Sequence, residues 1–135
     1  MTITLVCGPP CAGKTTYVEQ HAQPDDLVVD LDHLAQLLGS PRSHGHPRPI
    51  RHRAEAWLLE LCDEVAAGMH PSAWIVRTLP DPAQRAEWAA WLNAQVVVLD
   101  APDDVLIDRA QQRPWPGATI DAIRWWRQTS GTVST

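Results

Sequence analysis

Short apolar runs alternate with segments of helical periodicity along the chain. Runs such as residues 3–7 and 73–76 are rich in apolar and β-branched side chains, which is typical of buried strands. Between residues 51 and 68, apolar side chains recur at spacings of three and four, which predicts an amphipathic helix. Strands that alternate with helices in this way indicate an α/β domain built on a parallel sheet.

The pattern predicts one domain over residues 1–128, followed by a flexible polar tail at 129–135. The predicted strands are residues 3–7, 27–29, 73–76 and 95–99. The predicted helices are residues 14–22, 31–38, 51–68, 81–93, 102–112 and 119–128. Residues 40–50 and 113–117 are rich in proline and lack apolar periodicity, so we expect loops there.

The loop after the first predicted strand has the sequence GPPCAGKT at residues 8–15. It matches the P-loop (Walker A) motif G-x-x-x-x-G-K-T, whose backbone N–H groups and helix N-terminus cradle phosphates. Lys14 is the only lysine among 11 basic residues, and its ammonium is expected to reach the phosphates of ATP. The predicted ATP-binding residues are Gly8, Pro9, Pro10, Cys11, Ala12, Gly13, Lys14, Thr15 and Thr16.

Two carboxylates follow the second predicted strand, at the edge of the sheet where open α/β folds bind their ligands. Asp30 ends the strand, and Asp32 lies two residues further on. With the Thr15 hydroxyl, Asp30 is expected to hold Mg²⁺, while Asp32 accepts a proton from a substrate hydroxyl. The alternative is that Asp30 only ends the strand and Asp32 caps the next helix.

These residues resemble a known family. Residues 8–16 together with 29–32 are similar to the small P-loop kinases, namely the shikimate and gluconate kinases and the kinase domain of phage-type polynucleotide kinases. The resemblance implies a P-loop NTPase fold, a three-layer α/β sandwich with a four-stranded parallel sheet and helices on both faces. It also implies that Asp32 is the base or orients the acceptor. The absence of a predicted fifth strand favours the polynucleotide-kinase type.

The stretch at residues 96–102 resembles the segment that leads into the arginine-bearing lid of those families. The resemblance implies a lid at about residues 109–118, in which Arg109 and Arg113 neutralise phosphate charge. A guanidinium on a mobile segment suits that role, because it can stabilise charge on a transferring phosphoryl group. The alternative for Arg109 is a surface pair with Asp104 or Asp108.

The third predicted strand ends without a carboxylate, where many P-loop NTPases keep an acid linked to Mg²⁺. Arg77 follows this strand instead and is predicted to contact the substrate or a phosphate. Asp100 follows the fourth strand, but it lies next to a helix start. Both a role near the metal and a role as helix cap therefore remain open for Asp100.

A basic segment lies within the predicted substrate-binding insert, about residues 40–53. Residues 42–53 contain four arginines and three histidines, although the net charge of the chain is −5. Arg48 and Arg51 are therefore predicted to bind an anionic acceptor, such as a single-stranded DNA or RNA end. The alternative is a solvated loop. His44 and His46 lack a third ligand for a metal site.

The remaining features favour a cytoplasmic kinase. We expect neither a signal peptide nor a membrane span, and the three cysteines are too few for a disulfide scaffold. The predicted function is transfer of the γ-phosphate of ATP to a hydroxyl of a nucleic-acid 5′ end or a nucleotide. The alternatives are a small-molecule kinase and an accessory protein that binds or hydrolyses ATP.

Overall fold

The computed structural model describes residues 2–131, which form four strands and six helices. The strands are β1 (Ile3–Cys7), β2 (Leu27–Val29), β3 (Ala73–Val76) and β4 (Gln95–Val98). The helices are α1 (Lys14–His21), α2 (Leu31–Leu37), α3 (Arg48–Ala66), α4 (Pro82–Leu92), α5 (Asp103–Ala110) and α6 (Pro116–Ser130). The predicted alternation of strands and helices is confirmed.

The four strands form one parallel sheet in the order β2-β3-β1-β4. Ile3 is in register with Ala73, and Thr4 is in register with Gln95, so β1 lies between β3 and β4. Because all strands run in the same direction, their carboxyl ends meet at one edge of the sheet. The loop after β1 and the start of α2 therefore lie close together.

Helices cover both faces of the sheet because the side chains of β1 alternate between two hydrophobic clusters. Leu5 and Ile75 are fully buried on the face that packs against α2, α3 and α4, where Leu58 belongs to the same cluster. Val6 lies on the opposite face and packs with Val18 of α1. The predicted three-layer α/β sandwich is therefore confirmed.

A third apolar cluster packs against the P-loop. It joins Cys11 of the loop to Leu106 of α5 and Ile123 of α6. The side chain of Arg127 fixes α6 to the loop before α5, because it donates hydrogen bonds to Asp100, Asp103 and the Ala101 carbonyl. Asp100 thus ties α6 to the sheet edge and accepts a hydrogen bond from the amide of its own neighbour.

Two predicted loops are shorter in the structure than in the sequence prediction. Helix α3 begins at Arg48 instead of 51, and α6 begins at Pro116 instead of 119. Proline fits the first helical turn because no N–H partner is needed there, so the prolines that indicated loops are helical. Helix α6 also continues to Ser130, two residues into the predicted tail, and residues 132–135 lie outside the described residues.

Candidate functional site

The P-loop connects β1 to α1 through a tight backbone path. A β-carbon added at Gly8 would lie 2.5 Å from the carbonyl oxygen of Leu99, so only glycine fits between the ends of β1 and β4. Gly13 has a φ of 90°, and Cys11 has a φ of 70° although it carries a side chain. Backbone in this left-handed region costs energy for Cys11. Burial of Cys11 against α5 and α6 holds the loop in that form.

Lys14 begins α1 and folds back over the loop. Its Nζ donates hydrogen bonds to the carbonyl oxygens of Gly8, at 2.8 Å, and Pro9, at 2.9 Å. Burial, together with the nearby positive charge of Arg113, lowers the pKa of Lys14 from 10.5 to about 8. The ammonium therefore gains a negative counter-charge if a phosphate enters the loop, which favours its charged form.

Thr15 and Asp30 link the P-loop to the carboxyl end of β2. The Thr15 hydroxyl donates a hydrogen bond to Oδ2 of Asp30 at 3.0 Å. The other carboxylate oxygen of Asp30 accepts a hydrogen bond from the amide of Asp32 and so caps α2. The capping role considered from the sequence therefore belongs to Asp30, and Asp30 also contacts the P-loop. Among residues 2–131, no group of three metal-ligating side chains is placed to hold a metal by itself.

Asp32 is held by two histidines that sequence reasoning did not connect to it. Nε2 of His46 lies 2.6 Å from Oδ1 of Asp32, and Nδ1 of His44 lies 2.9 Å from Oδ2. The other ring nitrogen of His46 lies 2.6 Å from the Ser40 hydroxyl. The His-x-His spacing in the loop after α2 was the only signal in the sequence, and it did not indicate which carboxylate the histidines would meet.

Two cavities lie on either side of the P-loop. The larger one measures about 940 Å³, and Lys14, Thr15, Asp30 and Asp32 line it. The smaller one measures about 440 Å³ and is lined by residues of the P-loop and α1, by Leu99 and by Arg109. Cys11, Ala12, Gly13, Thr16 and Arg113 line both cavities. The two cavities therefore adjoin at the P-loop.

The two predicted lid arginines lie beside the P-loop. Arg109 donates a hydrogen bond from its guanidinium to the carbonyl oxygen of Cys11 at 2.8 Å. The partner of Arg109 is therefore the distant Cys11, and not Asp104 or Asp108, which the sequence offered as the alternative. Arg113 follows α5, lines both cavities, and is close enough to Lys14 to lower the pKa of that lysine. Both positive charges thus lie at the P-loop.

Arg77 lines the larger cavity at the carboxyl end of β3. Its guanidinium carbon lies 5.0 Å from the ring centre of Trp88, which also lines this cavity. The Nε atom of Arg77 is buried and has no hydrogen-bond partner within residues 2–131. A buried donor without a partner is costly, so an acceptor atom on a bound ligand would stabilise it.

Arg48 and Arg51 lie away from this group. Both are exposed on the first turns of α3, and neither lines either of these two cavities. From the basic segment that contains them, His44 and its neighbour Ser43 line the larger cavity instead. The structure thus gathers Lys14, Thr15, Asp30, Asp32, Arg77 and Arg113 around one cavity and leaves Arg48 and Arg51 outside it.

Comparison with known proteins agrees with the fold. A protein-family model described as an AAA domain matches residues 3–130. The chain belongs to this AAA domain family. A comparison with curated proteins finds no match. The family match and the fold confirm the resemblance to small P-loop kinases that the phosphate loop and the Asp30-Leu31-Asp32 stretch had indicated.

Two solved structures share the fold of this AAA domain. A chain of the Pnkp1/Rnl/Hen1 RNA repair complex is 12% identical, with a TM-score of 0.69 over 98% of this chain and 46% of that chain. The domain thus spans about half the length of that chain. The tunicamycin resistance protein of Deinococcus radiodurans is 17% identical, with a TM-score of 0.52 over 99% of this chain and 84% of that chain. At these identities the matches show a common fold.

Within residues 2–131, none of the helices has the length and apolar character needed to cross a bilayer. Cys7, Cys11 and Cys62 are buried free thiols.

Proposed function

We propose that this AAA domain is an ATP-dependent phosphotransferase that transfers the γ-phosphate of ATP to a hydroxyl. The observation that carries the proposal is that Lys14 of the P-loop and the Asp32 carboxylate line one cavity, with Arg113 between that cavity and the smaller one. Phosphoryl transfer requires positioning and charge neutralisation more than covalent chemistry, and these residues supply both.

In the proposed arrangement, ATP occupies the smaller cavity and its phosphates reach into the P-loop. The adenine would lie among Tyr17, Gln20 and Leu99, which line that cavity. The γ-phosphate would lie near Lys14 and Arg113, whose charges neutralise its oxygens. Arg109, bonded to the P-loop at Cys11, would add positive charge at the same loop.

Thr15 and Asp30 fit the needs of Mg²⁺. Both present oxygen atoms at the P-loop, 3.0 Å apart, and Mg²⁺ prefers one or two protein oxygens together with water and substrate phosphates. When bound, the ion would neutralise charge that develops on the phosphates. The two residues therefore suit the role of metal ligands that the sequence assigned to them.

The larger cavity would hold the acceptor. Its hydroxyl gives its proton to the Asp32 carboxylate while its oxygen forms a bond to the γ-phosphorus. The bond from that phosphorus to the bridging oxygen breaks, and its electron pair leaves with ADP. Arg77, whose Nε has no partner within residues 2–131, would bind an anionic group of the acceptor.

We propose a nucleic-acid 5′-hydroxyl or a nucleotide as the acceptor. The anion-binding chemistry of Arg77 and the fold shared with a chain of an RNA repair complex support this choice. A small-molecule acceptor is the second candidate, because Arg48 and Arg51 lie outside the cavity. The proposal places the reaction in the cytoplasm, where the three buried thiols stay reduced.

The test is transfer of labelled γ-phosphate from ATP to a 5′-hydroxyl oligonucleotide and to a panel of small hydroxyl metabolites. Asp32→Asn removes the proton acceptor with little change of shape, so transfer should fall by about 10²- to 10⁴-fold while ATP affinity is kept. Transfer to the oligonucleotide supports the first candidate, and transfer only to a metabolite supports the second.

Glu64→Gln is the matched control. Glu64 also pairs with a histidine, His70, at 2.9 Å, and its side chain is 38% exposed, as is that of Asp32. It does not line either described cavity, so transfer should be unchanged. Tight ATP binding without any labelled acceptor would favour an ATP-binding accessory protein instead. Full transfer activity of Asp32→Asn would rule out Asp32 as the proton acceptor.

A further inference from the structure

We propose that His46, backed by Ser40, is a positioning residue that fixes the Asp32 carboxylate for phosphoryl transfer. This inference rests on the proposed function, since it assigns to His46 the task of aiming the proposed base. No nucleotide or acceptor contact is assigned to His46 itself. The observation is a continuous chain of short contacts from the Ser40 hydroxyl through both ring nitrogens of His46 to Oδ1 of Asp32.

The side chain of His46 is buried, in contrast to that of His44 in the same loop. Its side chain is 2% exposed, whereas the side chains of His44 and Asp32 are 36% and 38% exposed. A buried polar ring is stable only when its nitrogens have partners, and here Ser40 and Asp32 supply one for each. Because burial restricts the ring, it fixes the position of Oδ1.

The contacts also determine which ring nitrogen of His46 donates a hydrogen bond. An ionised Asp32 can only accept hydrogen bonds, so Nε2 of His46 must carry the hydrogen that points to it. In the neutral ring, Nδ1 then accepts the hydrogen of the Ser40 hydroxyl. Asp32 therefore selects the ring form in which His46 donates to it, and the Ser40 hydroxyl, which can donate or accept, is compatible with that form. This leaves Oδ2 of Asp32 as the carboxylate oxygen on the His44 side.

His44 makes a different contact with the same carboxylate. It approaches Oδ2 at 2.9 Å, lines the larger cavity and is partly exposed. An acceptor hydroxyl that reaches Oδ2 must share it with His44 or displace that ring. The two histidines thus contact different oxygens of the carboxylate. The buried His46 holds Oδ1, and the partly exposed His44 lies at Oδ2, the oxygen that the acceptor approaches.

Further contacts hold in place the histidine loop, the segment between α2 and α3 that carries His44 and His46. The Arg42 guanidinium donates a hydrogen bond to the Gly45 carbonyl at 2.8 Å. The indole of Trp115, from the lid region, lies against Gly45: a β-carbon added at Gly45 would be 3.1 Å from two of its ring atoms. Gly45 lies between the two histidines in the sequence. The loop that holds Asp32 is therefore in contact with the segment that carries Arg113.

The test compares His46→Ala with His46→Gln in the full chain, using the transfer assay with a 5′-hydroxyl oligonucleotide and the metabolite panel. A displacement of about 1 Å in a reacting group can lower the rate about 10²-fold, so His46→Ala should lower kcat by about that factor. The ATP dissociation constant should stay within about twofold. The glutamine amide can still donate to Asp32, so His46→Gln should recover kcat to within about tenfold of the wild type.

His70→Ala is the control, because it removes another contact between a histidine Nε2 and a carboxylate, at 2.9 Å against 2.6 Å for His46, and neither His70 nor Glu64 lines the two cavities. It should leave kcat unchanged. Wild-type kcat in His46→Ala would overturn the inference. Equal loss of kcat, ATP affinity and thermal stability in both His46 variants would also overturn it, since that result describes a folding role only.

A second measurement separates this inference from the proposed function. Side-chain nitrogen NMR signals of His46, assigned with His46→Gln, should shift in Asp32→Asn and stay unchanged in Glu64→Gln, which should shift His70 instead. If the wild-type protein labels no acceptor, the proposed function fails. An unchanged His46 signal in Asp32→Asn would overturn the positioning contact whether or not transfer occurs.

Discussion

Lys14 shows how one residue depends on neighbours that its motif does not contain. The P-loop sequence predicts that an ammonium meets phosphates, but its pKa is set by burial and by Arg113, which is 99 residues further along the chain. The ammonium donates hydrogen bonds to the carbonyls of Gly8 and Pro9. Because burial and Arg113 lower its pKa, its charge is easier to lose than that of an exposed lysine.

This lowered pKa predicts that ATP binding weakens with rising pH. Phosphate favours the ammonium and raises its pKa, so above pH 8 the free protein must take up a proton in order to bind. In magnesium-free titration calorimetry, ATP affinity should be nearly constant up to about pH 8 and then fall by up to about tenfold per pH unit. Lys14→Arg stays charged over this range and should give a flat profile. If ATP affinity fell with pH equally in the wild type and in Lys14→Arg, the lowered pKa of Lys14 would not be the cause.

The histidine loop, which is the segment between α2 and α3, contacts the segment between α5 and α6. Trp115, the residue before α6, has a φ of 59° and packs against Gly45, whose φ is 61°. Both residues lie in the left-handed region, which costs energy for Trp115 but suits glycine. The predicted lid and the predicted acceptor insert thus touch through one glycine.

Gly45→Ala should separate these elements. The added methyl strains the left-handed backbone and meets Trp115, so we expect a loss of about 1–3 kcal/mol in the free energy of unfolding, measured with urea. Phosphoryl transfer should fall as well, because the loop carries His44 and His46. Gly68→Ala has a similar φ of 79° with no atom within 4 Å of the added carbon. It should show the strain without the loss of transfer, and equal activities of the two variants would rule out the coupling.

The whole molecule has a net charge of −5, but its basic side chains are concentrated in a few places. Arg77 and Arg113 face the larger cavity, while Arg48 and Arg51 are exposed on α3. A small acceptor needs only the first pair. A nucleic acid long enough to leave the cavity has further phosphates, and these can reach exposed arginines.

Charge reversal of Arg48 and Arg51 to glutamate therefore tests the size of the acceptor. If single-stranded nucleic acid extends over α3, its affinity should fall, and the slope of log K against log salt should decrease by about 0.7 for each lost phosphate contact. Fluorescence anisotropy at several salt concentrations measures both. Arg124→Glu, on the exposed side of α6, should have little effect. Unchanged affinity after the double reversal would remove α3 from the interface.

Much of the fold could be predicted from the sequence because its signals are local. Apolar runs and helical periodicity depend on neighbouring residues, and they predicted all four strands and six helices of the described chain. The P-loop is a contiguous motif, and Asp30 and Asp32 directly follow a strand, so sheet geometry alone places them beside it. Boundaries at Arg48 and Pro116 were wrong because proline suits both a loop and a first helical turn.

The sequence by itself determined the parallel α/β sheet, the phosphate loop and the carboxylates at its edge, since each follows from local pattern and backbone geometry. Only the tertiary structure decided that His46 and Ser40 hold Asp32, that Arg77 packs on Trp88, and that Arg48 lies outside the cavity. These contacts join residues on different elements or across loops. Their distances depend on how helices pack on the sheet, which spacing along the chain does not encode.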